Sequence, residues 1–284
     1  MKLSKIFALL LALCLISSAA CAATFTDAHG NVIELDDSLE AYAAVTLVGA
    51  DNAARQGETN LGDLWADALR WFAVSGEINT AFDEDDVKTG NDRIAVDADH
   101  VVALWNGGNL RADIAEGTFG AEALAEVLPF PNKVAVVYMT GAQLLETLEA
   151  ASQGLPYTAE TADACASLMQ VSGLTYTVDT AKAYDALEAY GDHWFTAGSV
   201  SRVRIDDVNG QPFDAEATYA VVTSNANFNG MDSSYVLKAA AEANEQSAVT
   251  TAVVRDVVFR FIAAELNHQV GEAYAAPQGR LTIL

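Results

Sequence analysis

The sequence predicts an α+β fold built on a mixed β-sheet with helices packed against it. Three observations carry that class. Short apolar runs, "VVALW" (101–105), "KVAVVYM" (133–139) and "TYAVVTS" (218–224), read as strands. Longer segments, 60–76 and 140–152, set apolar residues at helical spacing. The two kinds follow one another without the regular alternation that a doubly wound parallel sheet requires.

Residues 1–22 open the chain as a secretory signal peptide. Lys2 and Lys5 precede the apolar run Ile6–Ile16, and small residues follow through Ala23. Ala20-Cys21-Ala22 fits ordinary cleavage. Ser18-Ala19-Ala20-Cys21 is a lipobox without the usual leucine three before the cysteine, so a lipid anchor at Cys21 is the alternative outcome. Either way the reading is a bacterial protein exported to the periplasm or the medium. Residues 23–47 form an arm, in which "FTDAHGNVIEL" (25–35) reads as a hairpin turning at His29-Gly30-Asn31.

The first strong helix is "ETNLGDLWADALRWFAVSG" (58–76). Leu61, Leu64, Trp65, Ala68, Leu69 and Phe72 share one face, Asn60 fits the N-cap and Gly76 ends it. An acidic loop, 77–98, leads to the strand 101–105, which stops at Asn106-Gly107-Gly108-Asn109-Leu110-Arg111. A short helix, Gly120–Leu128, is cut off by Pro129. After the strand 133–139, Thr140 and Gln143 form a capping box at the start of the second amphipathic helix. "LMQVSGLTYTVD" (168–179) and "SVSRVRIDD" (199–207) read as strands. Val208-Asn209-Gly210-Gln211 is a type I′ signal leading to the strand 218–224. Helices at 234–243 and 249–266 close one domain over 48–284.

Composition narrows the partners. A formal charge of −24, more negative still once Lys2 and Lys5 leave with the signal, repels nucleic acid and anionic membranes. No later stretch is apolar for long enough to form a transmembrane segment. With Cys14 and Cys21 removed, lipidated or terminal, Cys165 is unpaired; "DACASL" carries no nucleophile signature, so a buried thiol is the reading. His29, His100, His193 and His268 are scattered along the chain; Asp27-Ala28-His29 matches the short Asp-x-His run, but no Asn-His-Glu/Asp or Gly-His-x-His run follows to complete the set that a two-metal phosphoesterase site uses. No Gly-x-Ser-x-Gly elbow, His-Glu-x-x-His helix or Gly-Lys-Ser/Thr phosphate loop occurs. The sequence therefore assigns no catalytic residue and no metal ligand.

Four stretches, in order, carry a family resemblance: "RQGETNLGDLWADAL" (55–69), "NGGNLRADIAEGTFGAEALAEVLPFPN" (106–132), "LMQVSGLTYTVD" (168–179) and "TYAVVTSNANFNGMDSSY" (218–235). With the closing "GRLTIL" (279–284), they resemble the C-terminal domain of the 5′-nucleotidase family. That resemblance implies a nucleotide-recognition domain, whose partner domain, a metallophosphoesterase, holds a divalent metal pair and performs hydrolysis. No cofactor is then expected in this chain itself.

The resemblance also implies a site. Arg111 and Arg55 match family arginines that meet phosphate, and guanidinium is suited to that task by its forked donors; a surface ion pair is the plainer role for each. Gly107 and Gly108 would let backbone approach the ligand, or simply make a turn. Asn106 fits a base or ribose contact. Phe130 in "LPFPN" matches the aromatic that stacks on the nucleobase, with Asn132 a polar neighbour. Asp232 matches the aspartate that accepts from ribose hydroxyls. Three departures stand out. The family's second stacking aromatic aligns with Ala226, leaving Phe228 to replace it; the Gly-Gly-Asp-Gly-Tyr run has become Gly230-Met231-Asp232-Ser233-Ser234-Tyr235; and Pro131 stands where a glycine is usual. The leading expectation is an exported nucleotide- or nucleoside-binding domain that does not hydrolyse its ligand unaided. The alternatives are the specificity half of a split 5′-nucleotidase acting with a separate metallophosphoesterase, and an envelope interaction protein that has lost the ligand.

Overall fold

The structure, a computed structural model, describes residues 40–82, 94, 96–190 and 194–284, and the backbone of two strands ahead of them. Those two, β1 (Ala23–Thr26) and β2 (Val32–Leu35), pair antiparallel with Thr26 opposite Val32, as the hairpin over 25–35 requires. Its turn at His29-Gly30-Asn31, the signal segment with Cys21, His193 and most of the acidic loop lie outside the described residues.

Next come β3 (Glu40–Ala43), the one-turn helix α1 (Ala53–Gln56), the long helix α2 (Asn60–Val74), β4 (Val101–Asn106), β5 (Gly117–Gly120), α3 (Ala121–Val127), β6 (Lys133–Thr140) and α4 (Gly141–Ala151). The second half runs β7 (Met169–Ser172), β8 (Leu174–Val178), β9 (Ala186–Tyr190), β10 (Trp194–Ala197), β11 (Val203–Val208), β12 (Thr218–Ser224), α5 (Asn225–Phe228) and α6 (Tyr235–Ala243). It ends with β13 (Ala248–Val253), α7 (Val254–Leu266), β14 (Gln269–Val270) and β15 (Leu281–Ile283).

At the centre lies a five-stranded sheet ordered β13-β6-β12-β4-β7. Its β12 and β4 run parallel and the other neighbours antiparallel, so the α+β class with a mixed sheet is what forms. Side chains alternate across it. Val101, Ala103 and Trp105 enter one apolar core with α2 and α7, whereas Val102 and Leu104 enter a second with α4 and α6. Because both faces are covered, all six residues of β4 are buried, and the strand reads as a continuous apolar run instead of an alternating one. The smaller sheets β14-β3-β5 and β11-β8-β15 contribute to the first and second core respectively.

Several elements depart from the sequence reading for identifiable reasons. The N-cap of α2 is Thr59, whose hydroxyl accepts from the Gly62 amide at 3.0 Å. Asn60 is buried and serves elsewhere: its amide donates to the carbonyls of Thr46 and Tyr274, and its oxygen accepts from the Val48 amide. The capping box of Thr140 and Gln143 is present. The closing helix begins at Val254, not 249, because the β-branched run ahead of it pairs as β13 with β6. Asn209 and Gly210 have φ of 51° and 78°, as a type I′ turn requires, and Val208 bridges Gln211. Yet β11 then pairs with β8, while β12 joins the central sheet. The hairpin β9–β10 occupies a stretch to which the sequence gives no element. Residues Ala41 and Ala43 of β3 are fully buried, so the body of the fold begins ahead of residue 48 and takes in part of the 23–47 arm.

Two buried polar ties hold the periphery. Glu149 of α4 accepts from the amides of Arg202 and Val203 at 2.9–3.2 Å, fixing the start of β11. At the C-terminus, Arg280 pairs with Asp67 at 2.8 Å, the Gln278 amide donates to Asp63, and the Leu281 amide donates to Glu58. Asp63 is fully buried; that burial, opposed by Arg280 and reinforced by Glu58, pushes its carboxyl up to about 8.

Candidate functional site

The sequence-implied residues gather beyond the C-terminal ends of the parallel pair β4 and β12, the end at which open α/β sheets present their ligand crevice. Asn106 is the last residue of β4 and fully buried. Its amide nitrogen donates to Asp232 Oδ2 at 2.7 Å, and its oxygen accepts from the Asn109 amide at 2.8 Å. This fixes Asn106 as the link between the loop after β4 and the loop after β12.

That second loop begins with α5, where the Ser224 hydroxyl accepts from the Asn227 amide. It then places Asp232 and Ser233 at φ of 51° and 64°, in the left-handed region. Non-glycine residues adopt this conformation only when held. Here Ser233 donates to the Ala150 carbonyl at 3.1 Å and accepts from Gln153 Nε2 at 2.9 Å. Gln153 in turn accepts from the Phe195 amide of β10, tying the hairpin to the Asp232 loop. Nothing in the sequence near Gln153 signals this role, because its partners are more than 40 positions away.

Two guanidiniums and one carboxyl face this region. Arg55 in α1 is buried, donates to the Ala162 carbonyl at 2.9 Å and lies 3.7 Å from Asp163. Arg111 is exposed, and its backbone amide is held by the Val127 carbonyl at the end of α3. Although Arg111 is exposed, partial desolvation of its guanidinium lowers its pKa, the charge of Arg55 lowers it further, and Asp232 opposes both. Burial raises the Asp232 carboxyl, while Arg55 and Arg111 lower it. The three groups therefore sense one another; with Asp163 beside Arg55 the two guanidiniums are balanced by two carboxyls, and Arg111, the exposed one, is the donor most open to an anion.

Phe130, 42 % exposed, lies at the same rim, with the Arg111 guanidinium carbon 5.8 Å from its ring centroid. Asn132 is half-buried, and its carbonyl accepts from the Val254 amide. Beside it, the Lys133 amide donates to Asn225 of α5, so the 130–132 loop and the α5 loop meet. Phe228 sits on α5 two positions after Ala226, about 200° around the helix. It is half-buried and packs against the second core.

The glycines are a difference of substance. Gly107 and Gly108 are both buried in a 3₁₀ turn. A Cβ on Gly107 would stand 1.9 Å from the Ala54 carbonyl oxygen, and one on Gly108 2.6 Å from the Ala166 Cβ. The close approach they permit is to the chain's own α1 and the 164–167 turn. Through it they set α1, and hence Arg55, against the β4 loop.

A cleft of about 470 Å³ is lined among others by Gln153, Asp163, Tyr184 and Phe195; none of the sequence-implied site residues lines it, and it touches them only through Asp163, the partner of Arg55. Among the described residues, no group of three or more His, Cys, Asp or Glu is placed to hold a metal ion. No helix among them is long and apolar enough to cross a membrane.

Known proteins share this fold. The family model described as the 5′-nucleotidase C-terminal domain matches residues 40–239. The trifunctional nucleotide phosphoesterase YfkN of Bacillus subtilis is 28 % identical over 188 residues, 65 % of this chain and 10 % of that protein. Among solved structures, the 5′-nucleotidase precursor of Thermus thermophilus superposes with a TM-score of 0.61 at 28 % identity, covering 86 % of this chain and 39 % of the other. The NAD nucleotidase of Haemophilus influenzae shares the fold, with a TM-score of 0.56 at 16 % identity over 86 % of this chain and 38 % of its own. The chain thus spans well under half the length of these relatives. On the family match over most of its described residues, the chain belongs to the 5′-nucleotidase C-terminal domain family.

Proposed function

We propose that this chain is the nucleotide-recognition element of an exported nucleotide-catabolic system, binding a nucleotide or nucleoside without hydrolysing it unaided. The observation that carries this reading is the convergence of Arg55, Arg111, Asn106, Asp232 and Phe130, drawn from four separate segments, at one end of the central sheet. In this reading the two arginines hold phosphate. Asp232, oriented by Asn106, accepts from ribose hydroxyls, and Phe130 offers one face to the base, with Asn132 beside it. Gly107 and Gly108 act indirectly, by seating Arg55. Phe228 closes the base from the other side only if its ring leaves the core.

Calorimetric titration of the purified protein with AMP, adenosine and UDP-glucose tests the reading. Saturable binding of AMP, stronger than that of adenosine, is the expected result. No heat with any of the three would leave the interaction-protein alternative standing.

The exposure of Phe130 and Met231, 42 % and 59 %, favours a second form of the same reading. A rim that stays open is suited to closure by a separate metallophosphoesterase, which would supply the metal pair. An exported metallophosphoesterase without this domain, encoded beside this chain, would support the split enzyme.

A further inference from the structure

Arg111 and Phe130 meet in a way that neither role alone requires. A guanidinium assigned to phosphate has no need to lie over an aromatic ring, yet its carbon stands 5.8 Å from the Phe130 centroid. Phe130 is 42 % exposed at the rim, and the Arg111 guanidinium lies over one face of its ring. The backbone brings the two segments together: the Arg111 amide is held by the Val127 carbonyl, three residues before Phe130. The opposite side offers no ready substitute, since Ala226 has no ring and Phe228 packs on the second core.

We propose that Arg111 is a specificity-determining gate: in the free protein it covers the Phe130 ring, and only a ligand bearing a phosphate draws it off so that the base can stack. This rests on the nucleotide-binding reading above and narrows it to phosphorylated ligands. A nucleoside must displace the guanidinium and offers it nothing in return. A nucleoside monophosphate displaces it and gives it an anion beside Arg55. The guanidinium is also crowded where it stands, with the Arg55 charge opposing its own. Phosphate relieves that repulsion by sitting between two cations. The site then discriminates against dephosphorylated product by competition at the base face as well as by the missing phosphate contact.

The test is a cycle of Arg111→Ala, Phe130→Leu and the double variant, titrated calorimetrically with adenosine and AMP. An exposed cation–π contact is worth a roughly two- to five-fold change in affinity. Adenosine should bind Arg111→Ala about that much more tightly than wild type, while AMP binds more weakly. In the Phe130→Leu background, removing Arg111 should bring no gain for adenosine. Side-chain NMR of the free protein supplies a reading that needs no ligand: the Arg111 Hε resonance should carry a ring-current shift that Phe130→Leu abolishes. An unshifted resonance overturns the gate, as does an adenosine affinity that is unchanged or reduced in Arg111→Ala while AMP still binds wild type. Binding of neither ligand by any of these proteins removes the nucleotide reading and the gate together.

Discussion

At the scale of single residues, the site rests on charge and on contacts too close for any side chain. Arg111→Ala should weaken AMP binding by about 1.5–3 kcal/mol, the worth of charge-assisted hydrogen bonds, without a matching loss for the nucleoside. Equal losses for both ligands in calorimetry would show that Arg111 shapes its loop instead. Gly107→Ala forces a methyl group onto the Ala54 carbonyl and should cost roughly 1–3 kcal/mol in urea unfolding, with Arg55 displaced. Asp63 gives a pH signature. Its folded-state carboxyl is raised from 3.8 to about 8, so between those values the folded protein keeps a proton that the unfolded chain has lost. Stability from this group therefore falls as pH rises through that window, by up to about 1.4 kcal/mol per pH unit, and levels off above it. Asp63→Asn should flatten that slope in denaturation curves recorded between pH 5 and 8; an identical slope in the variant would contradict the assignment. Arg55, Arg111, Asn106 and Asp232 each sit in a sequence motif, and the fold brings those motifs to one end of the central sheet. The reason for the glycines was not legible in the sequence, because the atoms they make room for belong to α1 and to residue 166.

At the scale of elements, the sheet was readable wherever burial is two-sided. The runs of β4, β6 and β12 are apolar along their length, and α2 and α4 show their faces by spacing. What failed was pairing and onset. A β-branched run, Val249–Val253, stands directly ahead of a helical one, and only the neighbouring β6 decides where strand gives way to helix. The type I′ turn at Asn209-Gly210 reports its own geometry but not which sheet the next strand will enter. The β9–β10 hairpin escaped notice because "DALEAY" is rich in helix formers, and its anchor, Gln153, lies on a distant segment. Glu149 is an anchor of the same kind. Glu149→Ala leaves the buried amides of Arg202 and Val203 without their acceptor and should cost about 2–4 kcal/mol in chemical denaturation. A change under about 1 kcal/mol, the worth of one ordinary hydrogen bond, would mean that β11 is held by β8 alone.

At the scale of the whole molecule, the chain carries a net charge of −24, and the proposed site sets Arg55 and Arg111 together at one rim. That pattern favours a small anion over a polyanion, because long-range repulsion keeps nucleic acid away while two arginines act at contact range. The family accounts for the fold of residues 40–239, and the relatives extend well beyond the length this chain covers. Of the described histidines, His100 bonds its near neighbour Asp97, and His268 bonds the Glu40 carbonyl across the fold. Assayed alone with Mn²⁺, Zn²⁺ or Mg²⁺, the protein should release no phosphate from AMP above a buffer control; turnover that co-purifies with it and vanishes on chelation would contradict this. The most direct test of the central claim is a crystal structure with AMP bound. The account requires the phosphate between Arg55 and Arg111, the ribose on Asp232, and the base on Phe130 in place of the Arg111 guanidinium. AMP bound elsewhere, or a guanidinium that stays on Phe130 while the rim remains empty at saturating AMP, would contradict it.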